Sequence, residues 1–184
     1  GEGANELLQN SQKLTSNIHT LLLLRHSARD EPDDFHETLK AHLTDEGRKG
    51  AYELGNYLPD SWNYRFFSSP VQRCLDTSTQ IQKVLKSRNI TTEEKENLDN
   101  LTRIYGTPGG FYKYFKRDGL DFINYWLAGF YPSYEVEPSL TIAQRVALDV
   151  MENRKNINDN VLDVYISHDF HLMLILFHWT GILI

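Results

Sequence analysis

The sequence predicts an α/β fold built on a mainly parallel sheet, and three observations carry that prediction. Short apolar runs at Leu21–Leu24, Tyr64–Phe67 and Val161–Ile166 have the length of strands. Segments with apolar residues at helical spacing lie between them, and strands that alternate with helices build parallel sheets. Each run also stops abruptly at polar chemistry: Arg25-His26, Ser68-Ser69-Pro70 and Ser167-His168-Asp169. In open α/β sheets, ligands bind outside the carboxyl ends of the strands.

The elements follow in order. Residues 1–18 are polar apart from Leu7, Leu8 and Leu14, and read as an N-terminal arm. Four consecutive leucines then predict a short, fully buried strand. Ser27 to Leu43 is acidic and irregular, a surface loop beside the sheet edge. A helix starts at Thr44 as N-cap, with Asp45 and Glu46 in its first turn, and Pro59 ends it. After the aromatic strand at 64–67, Ser68-Ser69-Pro70 predicts a helix from Pro70 to about Lys86, with serine as cap and proline in the first turn. Residues 87–97 read as charged and exposed, and Leu98 to Tyr105 as a candidate strand. Gly106-Thr107-Pro108-Gly109-Gly110 breaks the chain. Ten aromatic residues crowd the stretch from Phe111 to Tyr134, which reads as the core of an insertion over about 106–138 or as a lid. In the lid reading, Lys113, Lys116 or Arg117 contacts substrate. Ser139 or Thr141 caps a helix running to about Arg154. The last strand leads into a helix from Phe170 to Trp179.

Composition bounds the function. The chain has 184 residues, 40% hydrophobic and 24% charged, the make-up of one soluble globular domain. A formal net charge of −6 argues against a general nucleic-acid binder. A local anion pocket needs only a few arginines, so it stays open. A single cysteine, Cys74, rules out an internal disulfide and a multi-cysteine zinc site, and reads as a small buried side chain. No apolar run reaches the ~18 residues of a membrane span. The chain opens Gly1-Glu2-Gly3-Ala4. The expectation is a processed or trimmed soluble protein, either cytoplasmic or exported after signal removal.

The strand ends define a candidate site. The first supplies Arg25, His26 and Arg29, the second leads to Arg73 one turn into its helix, and the last supplies His168 and Asp169. Three arginines and two histidines converging on one edge describe a phosphate site, because the guanidinium fork matches phosphate oxygens and keeps its charge at any working pH. His171 and His178 read as structural.

These residues resemble the motifs of the histidine phosphatase superfamily, also called the phosphoglycerate mutase-like superfamily. Arg25-His26-Ser27 matches its Arg-His-Gly at two of three positions. Leu43-Thr44-Asp45-Glu46-Gly47 is similar to its Leu-Thr-x-x-Gly helix start. The stretch Ser68-Ser69-Pro70-Val71-Gln72-Arg73, with Thr77 four residues on, is similar to its Ser-Ser-Pro-x-x-Arg-x-x-x-Thr block. Ser167-His168-Asp169 resembles the late histidine motif in the His-Asp form of the acid phosphatase branch. The four blocks keep family order over about residues 20–180. The resemblance implies a compact single domain over 1–184, a three-layer α/β/α arrangement and no cofactor or metal. It leaves the subfamily unassigned.

The implied chemistry is metal-independent hydrolysis of a phosphomonoester. His26 attacks phosphorus and becomes phosphohistidine. Arg25, Arg29, Arg73 and His168 hold the phosphoryl oxygens. Asp169 protonates the leaving group, with Glu31 or Asp30 as alternatives and Asp118 and Asp121 behind them. The implied partner is a small phosphorylated substrate, or a phosphate or sulfate anion. A phosphomutase, a metal-dependent phosphohydrolase using His168, Asp169 and His171, and a non-catalytic phosphate-binding module are the other readings. Ser27 stands where the family has glycine, and its Cβ is expected to crowd the turn or narrow the pocket.

Overall fold

The computed structural model describes residues 20–32, 35–155, 157 and 160–182, so the arm expected over 1–18 lies outside the described residues. The chain divides into two compact units, Gly1–Leu98 with Asn156–Ser167, and Asp99–Lys155 with His168–Ile184.

The first unit holds the sheet. Strands β1 (Thr20–Arg25), β2 (Asn63–Ser68), β3 (Thr92–Glu94) and β4 (Val161–Ser167) are all parallel, in the order β1-β4-β2-β3. Strands β2 and β4 are buried almost throughout, as runs at the centre of a parallel sheet should be. β1 corrects an expectation. Its leucines are half-buried, because among the described residues β1 is an edge strand paired with β4 alone. β3 is an element the sequence did not announce. It lies in the stretch read as exposed and charged, and pairs Tyr64 with Thr92 and Phe66 with Glu94.

Helices α1 (Asp45–Tyr57) and α2 (Gln72–Ser87) pack on one sheet face. Ala51, Leu58, Ile81 and Leu85 meet Tyr64, Phe66, Leu162, Val164 and Ile166 there, the even-numbered side chains of the strands. The odd-numbered side chains use the opposite face. Phe67 stacks on Tyr165 at 4.6 Å, and Arg65 forms a bidentate pair with Asp163, both hydrogen bonds 2.7 Å. α1 starts as expected: the Gly47 N–H donates to Thr44 Oγ1 at 3.0 Å. α2 starts two residues later than expected, with Val71 as N-cap. Ser69 still works at this corner, its hydroxyl accepting from the Val71 N–H at 3.3 Å in a local serine turn.

The second unit is helical: α3 (Gly110–Asp118), α4 (Phe122–Leu127), α5 (Ser139–Asn153) and α6 (Asp169–Thr180). Leu98 to Tyr105 holds a 3-10 turn at Asp99–Leu101 in place of the expected strand. Leu101 is fully buried there, so its apolar character reports a plug in a turn. Pro138, with no side-chain cap, occupies the N-cap of α5, and the expected cap Ser139 is its first residue. The Ser139 hydroxyl instead donates to the Trp126 carbonyl at 3.2 Å. Part of the aromatic stretch condenses into a cluster, while Tyr125, Phe130 and Tyr134 are exposed. Phe111 meets Phe122, Trp126 and Phe170 edge-on at 4.8, 5.4 and 5.3 Å. Phe170, on α6, thereby ties the segment to the helix that Asp169 begins. Gly181 ends α6 in the left-handed conformation at φ 74°, which glycine adopts without a Cβ penalty.

Candidate functional site

The site begins where β1 ends. Arg25, paired in register with Ser167 of β4, is exposed. His26 turns inward and is 3% exposed. Its backbone N–H donates to the Ser167 carbonyl at 3.0 Å, which continues the ladder one residue past the strand. Its ring Nδ1 lies 2.8 Å from the Ser27 carbonyl oxygen. A carbonyl can only accept, so Nδ1 carries the proton, and in a neutral ring the lone pair is then on Nε2.

Three further contacts pin the turn that follows. The Ser27 N–H donates to Thr77 Oγ1 at 3.0 Å. The Ala28 carbonyl accepts from the Thr44 N–H at 3.1 Å. Arg29 and Leu43 form an antiparallel bridge, and the Asp30 N–H donates to the His42 carbonyl at 3.0 Å. The first turn of α1 is therefore stacked on the turn that carries His26. Gly47 is required at that contact: a Cβ on it would stand 2.0 Å from the Ala28 oxygen and 2.9 Å from its carbon.

Ser27 needs no glycine-like backbone in this arrangement. Among the described residues the non-glycine positive-φ positions are Asn89 and Asn160, so the turn does not call on glycine's conformational freedom at 27. Its Oγ faces α1 at Gly50, 3.5 Å from where a Cβ on that glycine would lie.

The cations reach this edge from two elements. Arg29 comes from the pinned loop, donates to the Asp30 carbonyl at 2.7 Å and pairs with Glu31 at 3.1 Å. Arg73 lies in the first turn of α2 and is 3% exposed, with Nη1 donating to the Thr38 carbonyl at 2.9 Å. One turn further on, Thr77 donates its hydroxyl proton to the Arg73 carbonyl at 2.7 Å. Arg25, His26, Arg29 and Arg73 thus belong to one unit and are tied to one edge of its sheet. Thr77, Thr38 and Gly47 are the supporting residues whose roles sequence reasoning had not assigned. The spacing of Thr77 one helical turn after Arg73 was the available signal.

His168 and Asp169 follow Ser167 in the chain and open the second unit. His168, buried, is the N-cap of α6 in an extended conformation, and its carbonyl accepts from the Leu172 N–H at 3.0 Å. Asp169 is exposed, with Oδ1 accepting from the Phe170 N–H at 3.3 Å. His171 is buried, and burial pushes its pKa down to about 4 despite a hydrogen bond to the Arg103 backbone. His178 is bonded to the Ser139 hydroxyl at 2.9 Å. Among the described residues, no group of three His, Cys, Asp or Glu side chains is placed to hold a metal ion. Cys74 is fully buried, and burial pushes its thiol up to about 12. Asp118 is gripped by Arg117 through two 2.7 Å hydrogen bonds and by the Tyr131 hydroxyl. The Arg117 hydrogen bond holds its pKa below the usual carboxylate value, which favours the ionised form. Lys113 is likewise engaged, with Glu135 at 2.6 Å.

A parallel α/β sheet with a buried, tautomer-fixed histidine and arginines at its carboxyl edge defines a class of proteins that handle phosphate. The chain belongs to the histidine phosphatase superfamily (branch 1), whose profile matches residues 21–183. No curated protein matches it in sequence. Several solved structures match it in fold. A mycobacterial glucosyl-3-phosphoglycerate phosphatase in complex with inorganic phosphate has TM-score 0.59 at 15% identity, over 90% of this chain and 80% of that one. A structure described as mycobacterial hydrolase 2 has TM-score 0.61 at 15% identity, over 88% of this chain and 72% of that one. A mutant phosphoserine phosphatase from Entamoeba histolytica, in complex with phosphoserine, has TM-score 0.54 at 16% identity, over 90% and 81%. These likenesses establish the phosphoglycerate mutase-like α/β fold expected from the sequence. No helix among the described residues is long and apolar enough to cross a membrane.

Proposed function

We propose that the chain is a phosphatase that hydrolyses small phosphomonoesters through a phosphohistidine on His26, without a metal. One observation carries the reading: the 2.8 Å contact of Nδ1 with the Ser27 carbonyl, which leaves Nε2 as the nucleophilic nitrogen. Nε2 attacks phosphorus, the N–P bond forms, and the bond from phosphorus to the leaving oxygen breaks. The departing alkoxide takes a proton, a role the His-Asp motif assigns to Asp169. Water then attacks phosphorus, the N–P bond breaks and the water's proton returns to the Asp169 carboxylate, giving inorganic phosphate and free imidazole. Arg25, Arg29 and Arg73 offset the charge that spreads over the phosphoryl oxygens, and the motif gives His168 the same task. Arg29 reaches this role by exchanging Glu31 for phosphate, a cheap exchange because Glu31 is largely exposed. Family membership supports the reading, as do the neighbours solved with phosphate and with VO3.

The test is phosphate release from an aryl phosphate by the native chain and by His26→Ala, with and without chelator. The native chain is expected to turn over in chelator, and His26→Ala to lose at least ~10³-fold in kcat. A native chain inert over a broad pH range overturns the phosphatase reading, and full activity in His26→Ala overturns the mechanism.

A further inference from the structure

We propose that Thr77 is a positioning residue that fixes the tautomer of His26, an inference that rests on the phosphohistidine reading above. Thr77 is 2% exposed and lies between the two halves of the site. The Ser27 N–H can only donate, so Thr77 Oγ1 accepts it at 3.0 Å. The single hydroxyl proton then goes to the Arg73 carbonyl at 2.7 Å. This order of donors sets a direction, from Ser27 through Thr77 to Arg73. Ser27 is in turn the residue whose carbonyl faces His26 Nδ1 at 2.8 Å.

Each link has a consequence for the imidazole. Thr77 holds Ser27 at its N–H and Thr44 holds the next carbonyl, Ala28, at 3.1 Å. Between those anchors the Ser27 carbonyl has little freedom to leave Nδ1. Without the Thr77 hydroxyl the Ser27 peptide is pinned from one side only. The carbonyl then drifts, and the ring proton is no longer committed to Nδ1. The hydroxyl bond to the Arg73 carbonyl lies within α2 and holds the Thr77 side chain in place, so the Ser27 N–H bond ties the turn to the helix that presents a phosphate-binding arginine. Thr77 therefore acts through Ser27 on the nucleophile and through the backbone on the Arg73 helix, without touching substrate.

Three proteins test this: the native chain, Thr77→Ser and Thr77→Val. The first readout is the pair of imidazole ¹⁵N shifts of His26 from long-range ¹H–¹⁵N correlation, which separate a protonated from an unprotonated ring nitrogen without needing turnover. The second is kcat and KM on an aryl phosphate. Native and Thr77→Ser are expected to show Nδ1–H alone, with kcat within about threefold of each other. Thr77→Val is expected to show a mixture of tautomers and to lose on the order of 10–10²-fold in kcat with little change in KM. A Thr77→Val protein that keeps the Nδ1–H tautomer and native kcat overturns the inference, and so does a mixed tautomer in the native chain. If Thr77→Val does not fold, amide exchange in the native chain decides. A Ser27 N–H protected well beyond its exposed neighbours supports the link, and one that exchanges like an exposed amide overturns it. The two readings fail separately. A native chain with the Nδ1–H tautomer and no turnover sinks the phosphatase reading alone, whereas an active native chain with an indifferent Thr77→Val sinks this inference alone.

Discussion

Gly47→Ala and Gly50→Ala place the same methyl group three residues apart on α1, and the structure expects opposite outcomes. At Gly47 the new Cβ would sit 2.0 Å from the Ala28 oxygen, 2.9 Å from its carbon and 3.1 Å from its nitrogen, all backbone. Relief needs a retreat of more than ~1 Å by either the helix start or the turn carrying His26, and overpacking of that kind costs ~1–3 kcal/mol. The retreat also breaks the Thr44 N–H to Ala28 carbonyl bond, about 1 kcal/mol more. Alanine returns up to ~1 kcal/mol of helix propensity, so the net expectation is ~2 kcal/mol of destabilisation. At exposed Gly50 the Cβ meets only Ser27 Oγ, at 3.5 Å, an ordinary contact. The propensity term then stands alone, and Gly50→Ala gains ~0.5–1 kcal/mol. Urea unfolding of both variants at one pH measures the gap of about 3 kcal/mol. Because the displaced segment holds the proposed nucleophile, Gly47→Ala should also lose ~10²-fold in kcat. Equal midpoint shifts for the two variants, or native kcat in Gly47→Ala, would show that the α1 contact does not position the turn.

Two further outcomes follow from the buried polar groups. His171 is held neutral by burial, with its pKa lowered from 6.5 to about 4. The unfolded chain therefore binds the proton more readily, and this contribution is full above the unfolded value and lost as pH falls toward 4. A gap of that size corresponds to ~3 kcal/mol, so unfolding free energy should drop by about that much between neutral pH and pH ~4. His171→Leu should flatten the profile, and unchanged slopes in that variant would count against the assignment. The Arg65–Asp163 pair lies inside the sheet, with Asp163 fully buried. Asp163→Ala removes both charge-assisted hydrogen bonds and the counter-charge from a buried guanidinium and is expected to cost ~3–5 kcal/mol, while Arg65→Met with Asp163→Leu recovers most of that loss. A double variant no more stable than the single one, by urea midpoint, refutes that account.

The central strands were legible because Tyr64–Phe67 and Val161–Ile166 carry the apolar density that burial demands. The Thr44 cap was legible because hydroxyl capping is local. What escaped is what topology decides. Four leucines cannot announce that their strand takes the edge, and Thr92-Glu93-Glu94 enters the sheet by backbone pairing with no apolar signal. Pro70 suggested a helix start, but the Ser69 turn comes first. As candidates, Arg25, His26, Arg29, Arg73, His168 and Asp169 were nominated by motif. The turn that organises His26 was not, because Ser27 meets Thr77 across 50 residues of sequence and the Gly47 contact with Ala28 depends on how a helix lands. Ser27 looked like an obstacle on paper. Its backbone φ is not in the positive range and its hydroxyl faces Gly50, a glycine whose complement no local pattern reveals.

The phosphohistidine is the claim on which the rest depends, and it can be observed directly. The native chain is mixed with a phosphorus-labelled aryl phosphate, quenched in alkali within a turnover, and mapped by mass spectrometry under conditions that preserve phosphohistidine. Label on His26, lost on acid treatment and absent from His26→Ala, is the expected result. A native chain that turns over substrate while no label reaches His26, or label that persists in His26→Ala, contradicts it.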